Sequence, residues 1–165
     1  MATQGTVSSE KFQRLLHSLQ GQADFVVQPC PGLALAIENS ANPDTQTQAH
    51  ETVHGLLQRF TQAMGRFGTQ PGDIDTLVLG CTHYVFVQDD LQRIFGADVR
   101  CLSTGEPVAQ QTRRLLEAAG TLRTNADGAA QTQLLTNGDL VGLQGAAQRW
   151  LQLSADHCAL ANPAV

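Results

Sequence analysis

Apolar positions along the chain alternate between two spacings. Ser8-Ser9 stands before Phe12, Leu15, Leu16 and Leu19, the i, i+3, i+4, i+7 pattern of a helix with one buried face, and Gly21 stops it. Phe25-Val26-Val27 reads as a short buried strand, and Pro31 as the first position of a helix reaching Glu38. Positions 39–49 are polar and hold Pro43, which predicts a loop. Val53, Leu56, Leu57, Phe60 and Met64 predict a long helix, followed by a turn over 68–72. Thr76-Leu77-Val78-Leu79 is an unbroken β-prone run, typical of a parallel strand covered on both faces, and it ends at Gly80-Cys81. A helix with Val87, Leu91, Ile94 and Phe95 inward, a strand over 99–102 and a helix over 106–119 follow. A polar connector over 120–131, a strand at Leu134-Leu135, a turn at 136–139 and a helix over 140–153 complete the pattern, with a frayed tail expected after Ser154. This alternation predicts an α/β protein: a parallel-sheet lobe with flanking helices.

Composition narrows the classes of partner. The chain has 165 residues, 42% hydrophobic and 15% charged, enough to bury a core and too apolar for a disordered segment. Its formal net charge is -5 and its ten basic residues are scattered, which argues against nucleic acid and anionic membrane as partners. No run approaches the roughly 18 apolar residues of a membrane span. Residues 1–6 lack the basic and apolar regions of a signal peptide, so the expected compartment is the cytoplasm. Cys30, Cys81, Cys101 and Cys158 form no CxxC pair and read as free thiols.

The chemistry concentrates at the end of the 76–79 strand. In open α/β sheets, functional groups gather beyond the carboxyl ends of the strands. Gly80-Cys81-Thr82-His83 sets a thiol and an imidazole there, with Gly80 allowing a sharp turn. A helix starting soon after Cys81 would favour its thiolate, and His83 could stabilise that thiolate or carry its proton. Cysteine is also a common small buried residue, so spacing alone leaves catalysis and packing open. Zinc binding is disfavoured, because no second Cys/His pair stands at ligand spacing.

Leu79-Gly80-Cys81-Thr82-His83-Tyr84 resembles the C-terminal catalytic motif of the glutamate racemases and of the wider aspartate/glutamate racemase superfamily. Four further segments are similar in the same order. They are Ala2-Thr3-Gln4-Gly5-Thr6, like a Thr-x-x-Thr turn that binds a carboxylate, and Cys30-Pro31 followed by Ile37-Glu38. Thr104-Gly105-Glu106-Pro107 and Leu134-Leu135-Thr136-Asn137-Gly138-Asp139 complete the series. The resemblance spans residues 2–153. It departs at Val85, where the family usually has proline, and at Ser103, where it usually has an acidic residue.

The resemblance implies a cofactor-independent racemase, using neither pyridoxal phosphate nor a metal. Two cysteines on opposite faces of glutamate would exchange the α-proton, one as thiolate base and the other as thiol acid. On that basis Cys81 is one acid/base and His83 assists its proton traffic. Thr82, Thr3 and Thr6 bind substrate, and Glu38 orients its ammonium or supports the other side of the site. Read without the resemblance, Thr3 and Thr6 are turn and cap hydroxyls and Glu38 a solvated helix-end carboxylate. Cys30, Cys101 and Cys158 read as structural, and His17, His50, His54 and His157 as surface residues.

The first-lobe hallmarks of the family, an Asp-Ser-Gly loop and a cysteine flanked by Asn and Thr, do not occur in this sequence. The expected organisation is therefore a second α/β lobe over 1–103, elements of a missing first lobe over 104–153, and a tail over 154–165. Leu115, Leu116, Leu134, Leu135 and Trp150 would then lose part of their cover. The resemblance implies L-/D-glutamate interconversion for peptidoglycan synthesis, with this chain inactive alone. Its partners would be glutamate and either a further copy of itself or the missing lobe. The alternatives are a non-catalytic interaction module, an aspartate racemase, or a single-cysteine decarboxylase of the same superfamily.

Overall fold

A computed structural model describes residues 1–42, 46–123 and 131–161, with the side chains of positions 46 and 47 left aside. Parts of the predicted 39–49 loop, the 120–131 connector and the C-terminal tail lie outside the described residues. The helices are α1 (Gln4–Val7), α2 (Glu10–Ser18), α3 (Leu33–Asn39), α4 (Gln46–Met64), α5 (Gln88–Phe95), α6 (Gly105–Ala118) and α7 (Leu140–Ala146). The strands are β1 (Thr76–Val78), β2 (Arg100–Leu102), β3 (Leu134–Thr136) and β4 (Cys158–Leu160).

The N-terminal lobe is built on parallel backbone. β1 pairs with β2, with Thr76 opposite Arg100 and Val78 opposite Leu102. On the other side of β1, Ala2 bridges both Gly80 and Pro29 in parallel. Gly80 N–H donates to Met1 O at 2.8 Å, Ala2 N–H to Gln28 O at 3.0 Å, and Cys30 N–H to Ala2 O at 2.9 Å. The spatial order is thus residues 28–30, residues 1–2, β1, β2. The predicted α/β architecture is what the backbone adopts.

Helices cover this sheet with apolar faces. Leu33 and Ile37 of α3, Leu57 of α4, Leu77 and Leu79, Tyr84 and Leu91 of α5 are each 1% exposed or less and form one cluster. Burying such side chains stabilises the lobe by about 1.5–3 kcal/mol each. Ser9 caps α2, its hydroxyl accepting from Phe12 N–H at 3.3 Å. Among the described residues no helix is long and apolar enough to cross a membrane.

Several boundaries differ from the sequence pattern. Phe25, Val26 and Val27 form no strand and are 47%, 52% and 37% exposed. Met1-Ala2 offers one rung, already taken by Gln28 and Cys30, so no backbone stands beside residues 25–27. α3 begins at Leu33 rather than at Pro31, because Gly32 turns the chain with φ 81° just before it. α4 starts at Gln46, well inside the predicted loop. The predicted last helix is α7 followed by a π-helical turn, Ala147–Leu151, which ends where Gln152 adopts φ 55°. The tail does not fray at once: Ala155–His157 makes a 3-10 turn, and β4 pairs in parallel with β3, setting Leu134 against Cys158.

The elements after β2 are thinly covered. Every residue of α6 is exposed, and its apolar positions Val108, Leu115 and Leu116 are 61%, 59% and 39% exposed. Leu135 of β3, Val141 of α7 and Leu160 of β4 are exposed as well. Trp150 instead packs against the N-terminal cluster.

Candidate active site

Parallel strands carry their carboxyl ends to one edge. Thr3 follows the Ala2 rung, Cys81 follows Gly80 beside it, and Cys30 follows Pro29 on the other side. The close approach needs Gly80, since a Cβ there would lie 3.1 Å from Ala2 Cβ and 3.2 Å from Met1 O. The backbone after Cys81 is a bend into a 3-10 turn, Tyr84–Val87, and the first α-helical residue is Gln88. The helix N-terminus expected near Cys81 therefore begins seven residues away, and His83 is the polarising group at hand.

Cys81 Sγ lies 3.8 Å from His83 Nδ1. On the far side of the ring, His83 Nε2 lies 4.0 Å from Glu38 Oε2. The thiol and imidazole are partly buried, and the Glu38 side chain is 69% exposed. Thiol, imidazole and carboxylate thus stand in line, contributed by the strand end, the turn after it and α3. A neutral imidazole facing the thiol can accept its proton, and the carboxylate can stabilise the resulting imidazolium. At that exposure the carboxylate–imidazole attraction is weak in energy and serves orientation more.

Thr3 and Thr6 also meet. Thr3 Oγ1 accepts from Thr6 N–H at 3.2 Å, and the two hydroxyl oxygens are 2.9 Å apart. Both side chains are half-buried, at a strand end neighbouring that of Cys81. Thr3 thus caps α1, as a turn hydroxyl would, and the cap leaves hydroxyl lone pairs and protons to share with a ligand. Thr82 is exposed and beside Cys81.

Cys30 is at the same edge but differs in state. It is 2% exposed, and burial pushes its thiol up to about 11 against the opposing effect of the Met1 ammonium. Its thiol donates to Gln28 O and its carbonyl accepts from Tyr84 O–H, each at 3.5 Å. Burial likewise raises the Tyr84 phenol and the Cys101 thiol. All four cysteines are free thiols.

Two contacts had no signal in the sequence pattern. The Trp150 and Phe86 rings stack with centroids 4.1 Å apart and 11° between planes. The Arg149 guanidinium donates to Ser40 O and, at 2.5 Å, to His50 Nε2. Both pairings join the C-terminal elements to the segments that carry His83 and Glu38.

Comparison with known proteins shows what this parallel α/β lobe, with its strand-end thiol, imidazole and carboxylate, is similar to. No family model matches the chain. The glutamate racemase of Herpetosiphon aurantiacus is 39% identical over 139 residues, covering 84% of this chain and 50% of that protein. Those of Pseudomonas putida F1 and Ralstonia pickettii are 38% and 39% identical over 79% and 87% of this chain, and 45% and 46% of their own lengths. The crystal structure of glutamate racemase isoform RacE1 from Bacillus anthracis superposes with a TM-score of 0.72 at 25% identity, over 96% of this chain and 55% of that one. The glutamate racemase of Thermus thermophilus, solved in complex with beta-chloro-D-alanine, gives 0.66 at 25% identity, over 98% and 55%. The chain is a homologue of the glutamate racemases, an amino-acid racemase family. It spans about half the length of the curated relatives it matches.

Proposed function

We propose that this chain supplies one acid/base, Cys81, of a glutamate racemase whose second base lies on the half of the fold it does not share. The observation that carries this is the Cys81–His83–Glu38 line at a strand end, 3.8 Å and 4.0 Å between successive groups. Cys81 as thiolate takes the α-proton from one face of glutamate, with His83 holding or returning the thiol proton. Thr3, Thr6 and Thr82 donate to the substrate carboxylates, where charge grows as the α-carbon loses its proton. Glu38 fixes the His83 ring and faces the substrate ammonium. The transfer runs through side chains alone, without a cofactor. Its place is the cytoplasm, where D-glutamate feeds peptidoglycan synthesis.

One thiol reaches one face, so racemisation needs a partner. The bare apolar side chains of α6, β3 and α7 favour residues 104–153 as the seam on which that partner packs. A complementary lobe fits this surface better than a purely non-catalytic interaction role, because the thiol–imidazole line would then serve nothing. Optical rotation of L-glutamate tests the reading. The chain alone should leave rotation unchanged. Adding the N-terminal half of a glutamate racemase should start racemisation, and Cys81→Ala in this chain should abolish it. Racemisation by the unaided chain, or its survival in Cys81→Ala, would overturn the assignment.

A further inference from the structure

The line of Cys81, His83 and Glu38 draws on two segments that share the buried cluster. His83 sits before the 3-10 turn after β1, whereas Glu38 sits near the end of α3. On the outer side of each segment stands a residue from the π-helical turn Ala147–Leu151. Trp150 stacks on Phe86, whose N–H donates to the carbonyl of His83 at 3.1 Å. Arg149 donates to the carbonyl of Ser40, the residue that closes α3 and whose own N–H bonds back to Ala36 and Ile37. Ser40 is 4% exposed and its hydroxyl donates to Ile37 O at 2.6 Å, so the guanidinium grips a fixed point.

The π turn makes this grip. A π turn widens the helix by one residue per turn and shifts the side chains that follow it, and such turns recur at functional sites. Here two successive residues, Arg149 and Trp150, reach two different segments. Arg149 also donates to His50 of α4, which ties the same guanidinium to a second helix. Phe86 is 39% exposed even with its stack on Trp150 in place.

We propose that Arg149 and Trp150 are positioning residues that hold Glu38 and His83 at their spacing, and so set the reactivity of Cys81. The proposal rests on the acid/base reading of that line. It makes the C-terminal elements part of the site's geometry, although neither residue touches the thiol.

The test is the second-order rate of Cys81 alkylation by iodoacetamide across pH, followed by peptide mass spectrometry on the full chain. Cys30 serves as an internal folding control, because only a disordered lobe would expose it. His83→Asn should slow Cys81 alkylation several-fold near neutral pH. Arg149→Met and Trp150→Ala should each slow it in the same direction, Trp150→Phe should restore most of the rate, and Trp150→Ala should have no further effect in the His83→Asn background. If Trp150→Ala lets Cys30 react, Arg149→Met, which keeps the stack, carries the comparison. Unchanged rates in Arg149→Met and Trp150→Ala, or effects that add to His83→Asn, would overturn this inference and leave the acid/base line intact. An unchanged rate in His83→Asn would overturn that line, and the positioning role with it.

Discussion

Stability should differ sharply between the Cys81 lobe and the elements after β2, and amide hydrogen exchange can measure the gap. α6 has 14 residues, all exposed, so its amides are protected by the helix alone. Isolated helices of about 12–15 residues are marginal in water. Its Arg113–Glu117 pair, at 2.9 Å and well exposed, adds about 0.3–0.5 kcal/mol. The local opening free energy of α6 is then on the order of 0–1 kcal/mol. α4 and α5, by contrast, bury Leu57 and Leu91 at 0% exposure and open only with the whole lobe, at about 5 kcal/mol or more. Exchange in α6 should be about a thousandfold faster than in the middle of α4. Mutations should show the same gap: Leu57→Ala should cost about 2–5 kcal/mol in urea unfolding, and Leu115→Ala within roughly 0.5 kcal/mol. Exchange rates in α6 and α4 within about tenfold of each other, or equal mutational costs, would refute the reasoning.

Other outcomes follow from single sites. Because the folded Cys30 thiol sits near 11 rather than at its usual 9.0, its contribution is present below pH 9 and is lost as pH rises through 11, about 2–3 kcal/mol in all. Urea midpoints of the native chain and Cys30→Ala from pH 8 to 11 should therefore converge. The Met1 ammonium acts oppositely: burial lowers it from 8.0, so stability should rise with pH up to about 8 and flatten beyond it, checked by carrying the urea midpoints below pH 8. Gly80→Ala should cost about 1–3 kcal/mol in thermal unfolding, as the new methyl meets Ala2 and the Met1 carbonyl. Ser9→Ala should cost about 1 kcal/mol through the lost cap, and Ser9→Thr much less.

Local chemistry was legible in the sequence wherever it was decided within a few residues. Ser9 caps α2 as its spacing to Phe12 suggests, and Thr76 to Val78 forms a strand that stops just short of Cys81. His83 meets Cys81 two residues away, whereas the resemblance set Glu38 in the site without a contact to His83. What escaped was decided at a distance. Phe25 to Val27 has strand composition, but pairing needs a neighbour, and the Ala2 rung does not reach them. β4 exists because β3 lies alongside it, which no local pattern of Cys158–Leu160 announces. Arg149 meets Ser40 across 109 residues and His50 across 99, separations at which periodicity carries no information.

The Trp150–Phe86 stack also has an optical consequence. Trp150 is the chain's one tryptophan, and its indole lies against a ring three residues from His83. Nearly all long-wavelength emission therefore comes from a single seam rather than from an average over the fold. A red shift would mark solvent entering between the C-terminal turn and the Cys81 segment, even while far-ultraviolet dichroism stayed constant. The molecule thus carries its own reporter for the joint, readable without any added label.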